Sequence, residues 1–157
     1  LIAAEMIGNV RYDTNLKYLE DVKFFYEIFK KCKAIYWDNE PLYNYFQRED
    51  SVTHKYGLSE EAKGGLRFLE NAINSESNNK IKHVALCMQL NISIRMAFQY
   101  VIKNDLNDSS FWELKGLIKK HIVIILFSNE FSQSIKIRAL ITLNYYLSKL
   151  YNILITQ

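Results

Sequence analysis

The chain is poor in the residues that punctuate and cross-link small domains. Its 157 residues include one proline and five glycines, too few for the many turns of a β-sandwich, so long helices are expected to dominate. Two cysteines, Cys32 and Cys87, lie far apart and form no CxxC pair. That excludes a disulfide framework and a zinc ribbon. The longest uninterrupted apolar run, Ile122 to Phe127, falls far short of the roughly 18 residues that span a bilayer. The opening LIAAEMIGNVRYD lacks a basic stretch ahead of an apolar one, so no secretory signal is expected and the chain reads as cytoplasmic. No P-loop, GxGxxG, HExxH or GxSxG pattern occurs, which removes the familiar nucleotide, zinc-protease and serine-hydrolase signatures.

What is present is a globular composition, 49% apolar and 14% aromatic, in a length suited to one domain. The net charge of +3 is unevenly divided. Residues 1–57 carry eight Lys/Arg against nine Asp/Glu, and residues 58–109 carry six against six. Residues 110–157 hold Lys115, Lys119, Lys120, Lys136, Arg138 and Lys149 against Glu113 and Glu130. A basic C-terminal third suits an anionic membrane surface, and a solvated helix face accounts for the same spacing. A nucleic-acid partner is not expected, because the aromatics concentrate in the least basic segment. The chain opens on Leu1, directly in an apolar segment, as a piece of a longer protein would.

Two regions of different character follow. Within residues 1–57, DVKFFYEIFKKC (21–32) places Val22, Phe25, Tyr26 and Phe29 on one helical face. Glu20 and Asp21 stand at its start, where carboxylates oppose the positive end of the helix dipole. AIYW (34–37) and LYNYFQ (42–47), separated by DNEP (38–41), read as strand, turn and strand, with Pro41 in the turn. VRYD (10–13) reads as a further short extended piece, and 48–57 as loop. From Leu58 the pattern is helical throughout. Ser59 is expected to cap a helix that turns Ala62, Leu66, Leu69 and Ile73 inward and that Gly64 and Gly65 weaken.

Residues 81–102 are apolar on two faces, Ile81, Ala85, Met88, Ile92 and Met96 on one, Leu86, Leu90, Ala97 and Val101 on the other, as befits a central helix. Ser110 with Glu113 makes an S-x-x-E capping box for a helix running to about Phe127. The last helix, 135–154, spaces Leu140, Leu143, Leu147, Leu150 and Leu154 as a coiled-coil seam. An intramolecular core role is favoured for that seam, with a homo-oligomer contact as the alternative. His54, His83 and His121 fall on a loop and two helices without metal-ligand spacing, and the latter two read as ordinary bundle histidines. The expected fold class is mainly α: a helical bundle over 58–157, preceded by a small α/β unit of one helix plus short strands over 1–57.

The order of parts in residues 1–57 resembles the C-terminal end of the catalytic domain in bacterial family 2 glycosyltransferases. These are inverting enzymes of GT-A type that build capsular and surface polysaccharides. The resemblance rests on Val10-Arg11-Tyr12-Asp13, Leu16-Lys17-Tyr18-Leu19-Glu20-Asp21, Phe24-Phe25 and Lys33-Ala34-Ile35-Tyr36. It continues through Glu40-Pro41-Leu42-Tyr43-Asn44-Tyr45, Gln47-Arg48 and Ser51-Val52-Thr53. It covers about the first third of the chain, and its weight lies in the ordered combination rather than in any one element.

The resemblance implies transfer of a sugar from a nucleotide-diphosphate donor to a saccharide or lipid-linked acceptor with inversion. That chemistry needs a base for the acceptor hydroxyl and a divalent metal, Mn2+ or Mg2+, for the departing diphosphate. By this likeness Asp21 is the general base, Glu20 binds the acceptor or orients the loop, and Arg48 and His54 approach the diphosphate. Two departures stand out. The family often has glycine before the acidic pair, where this chain has Leu19. The DxD signature that holds the metal is absent, as is the nucleotide-binding half. The chain is therefore expected to be a C-terminal fragment, inactive alone, binding no metal itself, and placed in the cytoplasm or peripherally at the inner face of the membrane. The alternative is a non-enzymatic helical interaction module.

Overall fold

The computed structural model of the chain describes residues 4–32, 34, 56–144, 147–149, 151 and 154. Among them are seven helices: α1 (Ala4–Ile7), α2 (Glu20–Phe29), α3 (Glu60–Ser75), α4 (Asn79–Ile102), α5 (Ser109–Lys120), α6 (Ile122–Phe127) and α7 (Gln133–Leu143). The mainly α expectation holds. The short strands expected before the bundle are not seen among the described residues. Residues 10–13 run as an irregular segment, because an extended piece without a neighbouring strand has no ladder to join. The expected pair at 34–37 and 42–47, with Pro41, lies outside the described residues except for Ala34.

α4 is the axis of the bundle, packing against α3, α5 and α7, while α7 also touches α5 and α6. Its core line is Leu90, Ile94, Ala97 and Val101, all fully buried, at the i, i+4, i+7, i+11 positions of one stripe. Around it close Phe111, Leu114 and Ile118 of α5, Ile125 of α6, Phe131, and Ile135 and Ala139 of α7. Of the two apolar faces expected on α4, the one with Leu90 is the core. Met88, Ile92 and Met96 instead border an open groove of about 860 Å³ along the helix.

Helix ends follow local chemistry. The Ser59 and Ser132 side chains accept from the backbone N–H groups of Ala62 and Ile135, and Asn78 accepts from Lys80 and Ile81. Each satisfies donors that the first helical turn leaves unpaired. α5 departs from the capping-box expectation. Its cap is Asp108, whose Oδ1 accepts from Ser110 N at 2.7 Å. That acidic cap starts the helix two residues early and leaves Ser110 inside it. The helix expected to reach Phe127 is interrupted at His121, whose φ of −115° and ψ of 19° separate α5 from α6.

The last helix is likewise shorter than expected. It ends at Leu143, and Asn144 leaves the helical region at φ −97° and ψ 109°. Asn144 Oδ1 then accepts from Leu147 N, capping a new turn. The buried Ser148 hydroxyl donates to the Ile141 and Asn144 carbonyls, tying that turn back to α7. Of the leucine seam, Leu143 is partly buried and packs against the core, as expected, but the others described do not. Leu140, Leu147 and Leu154 are exposed at 43%, 42% and 65%, while Ile135, Ala139 and Thr142 face inward. Leu150 lies outside the described residues.

The N-terminal segment docks on the bundle through a glycine. A Cβ at Gly65 would stand 2.7 Å from Tyr18 Cδ1 and 2.9 Å from the Tyr18 carbonyl oxygen. The pair Gly64-Gly65, expected only to weaken α3, thus includes the position that admits the chain before α2. Below it, the segment leading into α3 is sewn to the C-terminal end of α4. Gly57 N donates to Gln99 Oε1 and Leu58 N to the Tyr100 hydroxyl, both at 3.0 Å. Gly57 has φ +72°, and a Cβ there would meet that same hydroxyl.

Candidate functional site

The acidic pair singled out in the sequence occupies the first turn of α2. Leu19 immediately before it has φ 64° and ψ 25°, a left-handed conformation that costs most residues roughly 1–2 kcal/mol and glycine almost nothing. The turn directs Glu20 to a half-buried position and leaves Asp21 exposed. Asp21 Oδ1 accepts from Val22 N at 2.7 Å. Among the described residues no cation pairs with Asp21. The nearby Lys23 is committed to Asp13 at 2.6 Å, and that bond holds the Asp13 carboxyl below its usual range.

Asp21 also stands at the rim of an apolar groove of about 390 Å³. Val22, Phe25, Tyr26 and Phe29 form one wall, Phe68, Leu69 and Ala72 of α3 another, and Ile81, Val84, Ala85 and Met88 of α4 the floor. On the outer side of α2, Tyr12 stacks on Phe24 at 4.3 Å between centroids, and Phe25 lies edge-on to Phe24 and offset over Phe29. The α2 wall was legible as an amphipathic stripe. The α3 and α4 contributions were not, since three helices distant in sequence build the groove and no local spacing marks them.

Of the four residues put forward from the sequence, the structure places two together, Glu20 and Asp21. Arg48 and His54 lie outside the described residues. His83 is exposed on α4, with Nε2 3.6 Å from the Cys87 sulfur one turn later. This is not an activated cysteine: burial and the charge of Glu130 both raise the Cys87 thiol, which keeps it protonated. His121, half-buried at the α5–α6 junction, is held below the usual histidine range by burial and by Lys120. Among the described residues, no three His, Cys, Asp or Glu side chains converge as a metal set. These residues do not fit the divalent metal that the resemblance implies. Among the described helices none is long and apolar enough to cross a membrane.

Comparison of the chain with protein-family models, with curated proteins and with solved structures finds no match to any of them.

Proposed function

We propose that this chain is the C-terminal part of an inverting glycosyltransferase of the family 2 kind, with Asp21 as the base that takes the acceptor's proton. The observation that supports this is the placement of Asp21: exposed, without a cation partner among the described residues, in the first turn of α2 and at the mouth of an apolar groove. A carboxylate at a helix N-terminus is a weak base, so its contribution comes from position, in line with the anomeric carbon and within reach of the acceptor hydroxyl. Glu20, half-buried beside it, is assigned the acceptor or the loop geometry. The left-handed backbone at Leu19 suits a position where the family often carries glycine.

The donor site and the divalent metal belong, in this reading, to a part of the enzyme outside the chain. The isolated 157 residues are then without transferase activity. The test is Asp21→Asn in the intact enzyme: loss of sugar transfer with the fold and donor binding retained supports the assignment. Full transfer by that variant, or turnover of a nucleotide sugar by the isolated chain, overturns it.

A second reading, a helical interaction module without catalysis, is favoured by one observation. The described residues from Leu58 onward build their own buried core around α4, with no strand among them. Under that reading the intact protein shows no dependence on nucleotide sugars and tolerates Asp21→Asn.

A further inference from the structure

The outer face of α5 and α6 combines exposed apolar side chains with unpaired cations. On α5, Trp112, Gly116 and Lys119 follow one another at helical spacing away from the buried Phe111, Leu114 and Ile118, and on α6 Val123 and Phe127 lie on the side away from the buried Ile125. Trp112 is 53% exposed, Val123 66% and Phe127 81%. These side chains are exposed, although Phe111, Leu114, Ile118 and Ile125 on the same two helices are buried. Single exposed apolar residues need no explanation, but three on two consecutive helices, next to the lysines of α5, do.

The charges of α5 are mainly positive. Lys115, Lys119 and Lys120 lie on α5 with Glu113 as the acid of the same helix, and none of the three lysines makes an ion pair among the described residues. The Lys115 ammonium sits over the rings of Trp112 and Phe111, at 4.8 and 5.5 Å from their centroids. Burial and the neighbouring Lys119 both disfavour its charge, and the two rings are its close partners.

We propose that this face docks on an anionic lipid bilayer, with Trp112, Val123 and Phe127 entering the headgroup boundary and the lysines lying against lipid phosphates. Interfacial helices have this chemistry, cations on the flank and Trp, Phe or aliphatic residues at the water–lipid boundary. The other occupants fit less well. A nucleic acid satisfies the lysines but leaves Val123 and Phe127 in water. A second copy related by a two-fold axis sets the lysine cluster against itself. The inference stands independently of the glycosyltransferase reading, since it rests on a different face and is read without any activity.

The test is sedimentation of the full 157-residue chain with vesicles of phosphatidylcholine alone and of phosphatidylcholine mixed with phosphatidylglycerol. Binding is expected to the anionic vesicles only and to weaken with added salt. Lys119→Gln and Lys120→Gln should each lower the affinity about fivefold. Val123→Ser with Phe127→Ser should abolish binding while the circular dichroism stays unchanged, because both side chains lie outside the core. Tryptophan emission should shift to the blue on binding, and the difference from Trp112→Phe isolates Trp112. Absence of binding to anionic vesicles overturns the proposal, as does binding indifferent to both sets of substitutions. Concentration-dependent self-association without lipid that disappears in Val123→Ser/Phe127→Ser also overturns it, and identifies the face as a contact between copies.

Discussion

The phenol of Tyr26 on α2 donates a 2.9 Å hydrogen bond to Glu76 Oε2, at the residue that ends α3. The same carboxylate accepts through Oε1 from the backbone N–H groups of Ser77 and Asn78, and Lys30 approaches it at 4.0 Å. One acid thereby holds the end of α3, the turn into α4 and the helix that carries Asp21. The edge-on contact of Tyr26 with Phe68 completes the dock.

Glu76→Gln keeps the shape but removes the charge, so it should loosen α2 more than the remainder of the bundle. Amide exchange is the discriminating measurement. The α2 protons should exchange faster while those of Leu90, Ile94 and Val101 keep their protection. Uniform acceleration throughout the chain would show that α2 and the bundle open as one unit.

The same contact carries a pH dependence whose sign is determined. The backbone donor of Asn78 and then the Tyr26 hydroxyl hold the Glu76 carboxyl below its usual range. A lowered folded-state value means that the unfolded chain takes up the proton first on acidification. The stabilisation is therefore complete above the ordinary value of 4.5 and lost as pH falls through the lower folded value. His121 acts in a higher window: its lowered value makes the unfolded chain the better proton acceptor, so stability falls as pH drops below about 6.5. Urea midpoints between pH 7 and 5 should decline in the wild type and less so in His121→Gln.

Leu19 permits a clean separation of backbone strain from side-chain packing. Leu19→Ala and Leu19→Gly both delete the side chain that packs beside Gly65, but only alanine keeps a Cβ at φ 64°. The glycine variant is expected to be the more stable of the two by about 1 kcal/mol, although both fall below the wild type. Equal midpoints, or alanine above glycine, would place the backbone at Leu19 outside the left-handed region.

Gly65→Ala tests the close approach of the N-terminal segment. In an isolated helix alanine outranks glycine by about 1 kcal/mol. Here the new methyl meets Tyr18, including its carbonyl oxygen, and a backbone group cannot rotate away. The substitution should destabilise the protein by about 1–3 kcal/mol. Gly64→Ala, whose Cβ would meet only Leu16 Cδ1 at an ordinary 3.6 Å, should be neutral or stabilising. The pair of thermal midpoints, one down and one level or up, distinguishes the tertiary cause from the helical one.

The sequence by itself determined the helical class and the centrality of α4, because these depend on side-chain periodicity and local capping chemistry. A 24-residue helix apolar on more than one side must be surrounded, and serine or asparagine before an apolar run offers an acceptor to unpaired N–H groups. The Glu20-Asp21 pair at the start of α2 was equally legible, since its place needs only the chain's immediate neighbours.

Tertiary structure decided the rest. Which α4 face is core depended on α5 and α7 covering the Leu90 stripe and leaving Met88, Ile92 and Met96 beside a groove. The leucines of the last helix kept their spacing but lost the continuous helix that would have aligned them, because Asn144 caps a new turn. The meaning of Gly65 lay in Tyr18, forty-seven residues earlier. The groove beside Asp21 required three helices to meet. Periodicity specifies which side of a helix is apolar, whereas the partner that covers it is set by packing between segments remote in sequence.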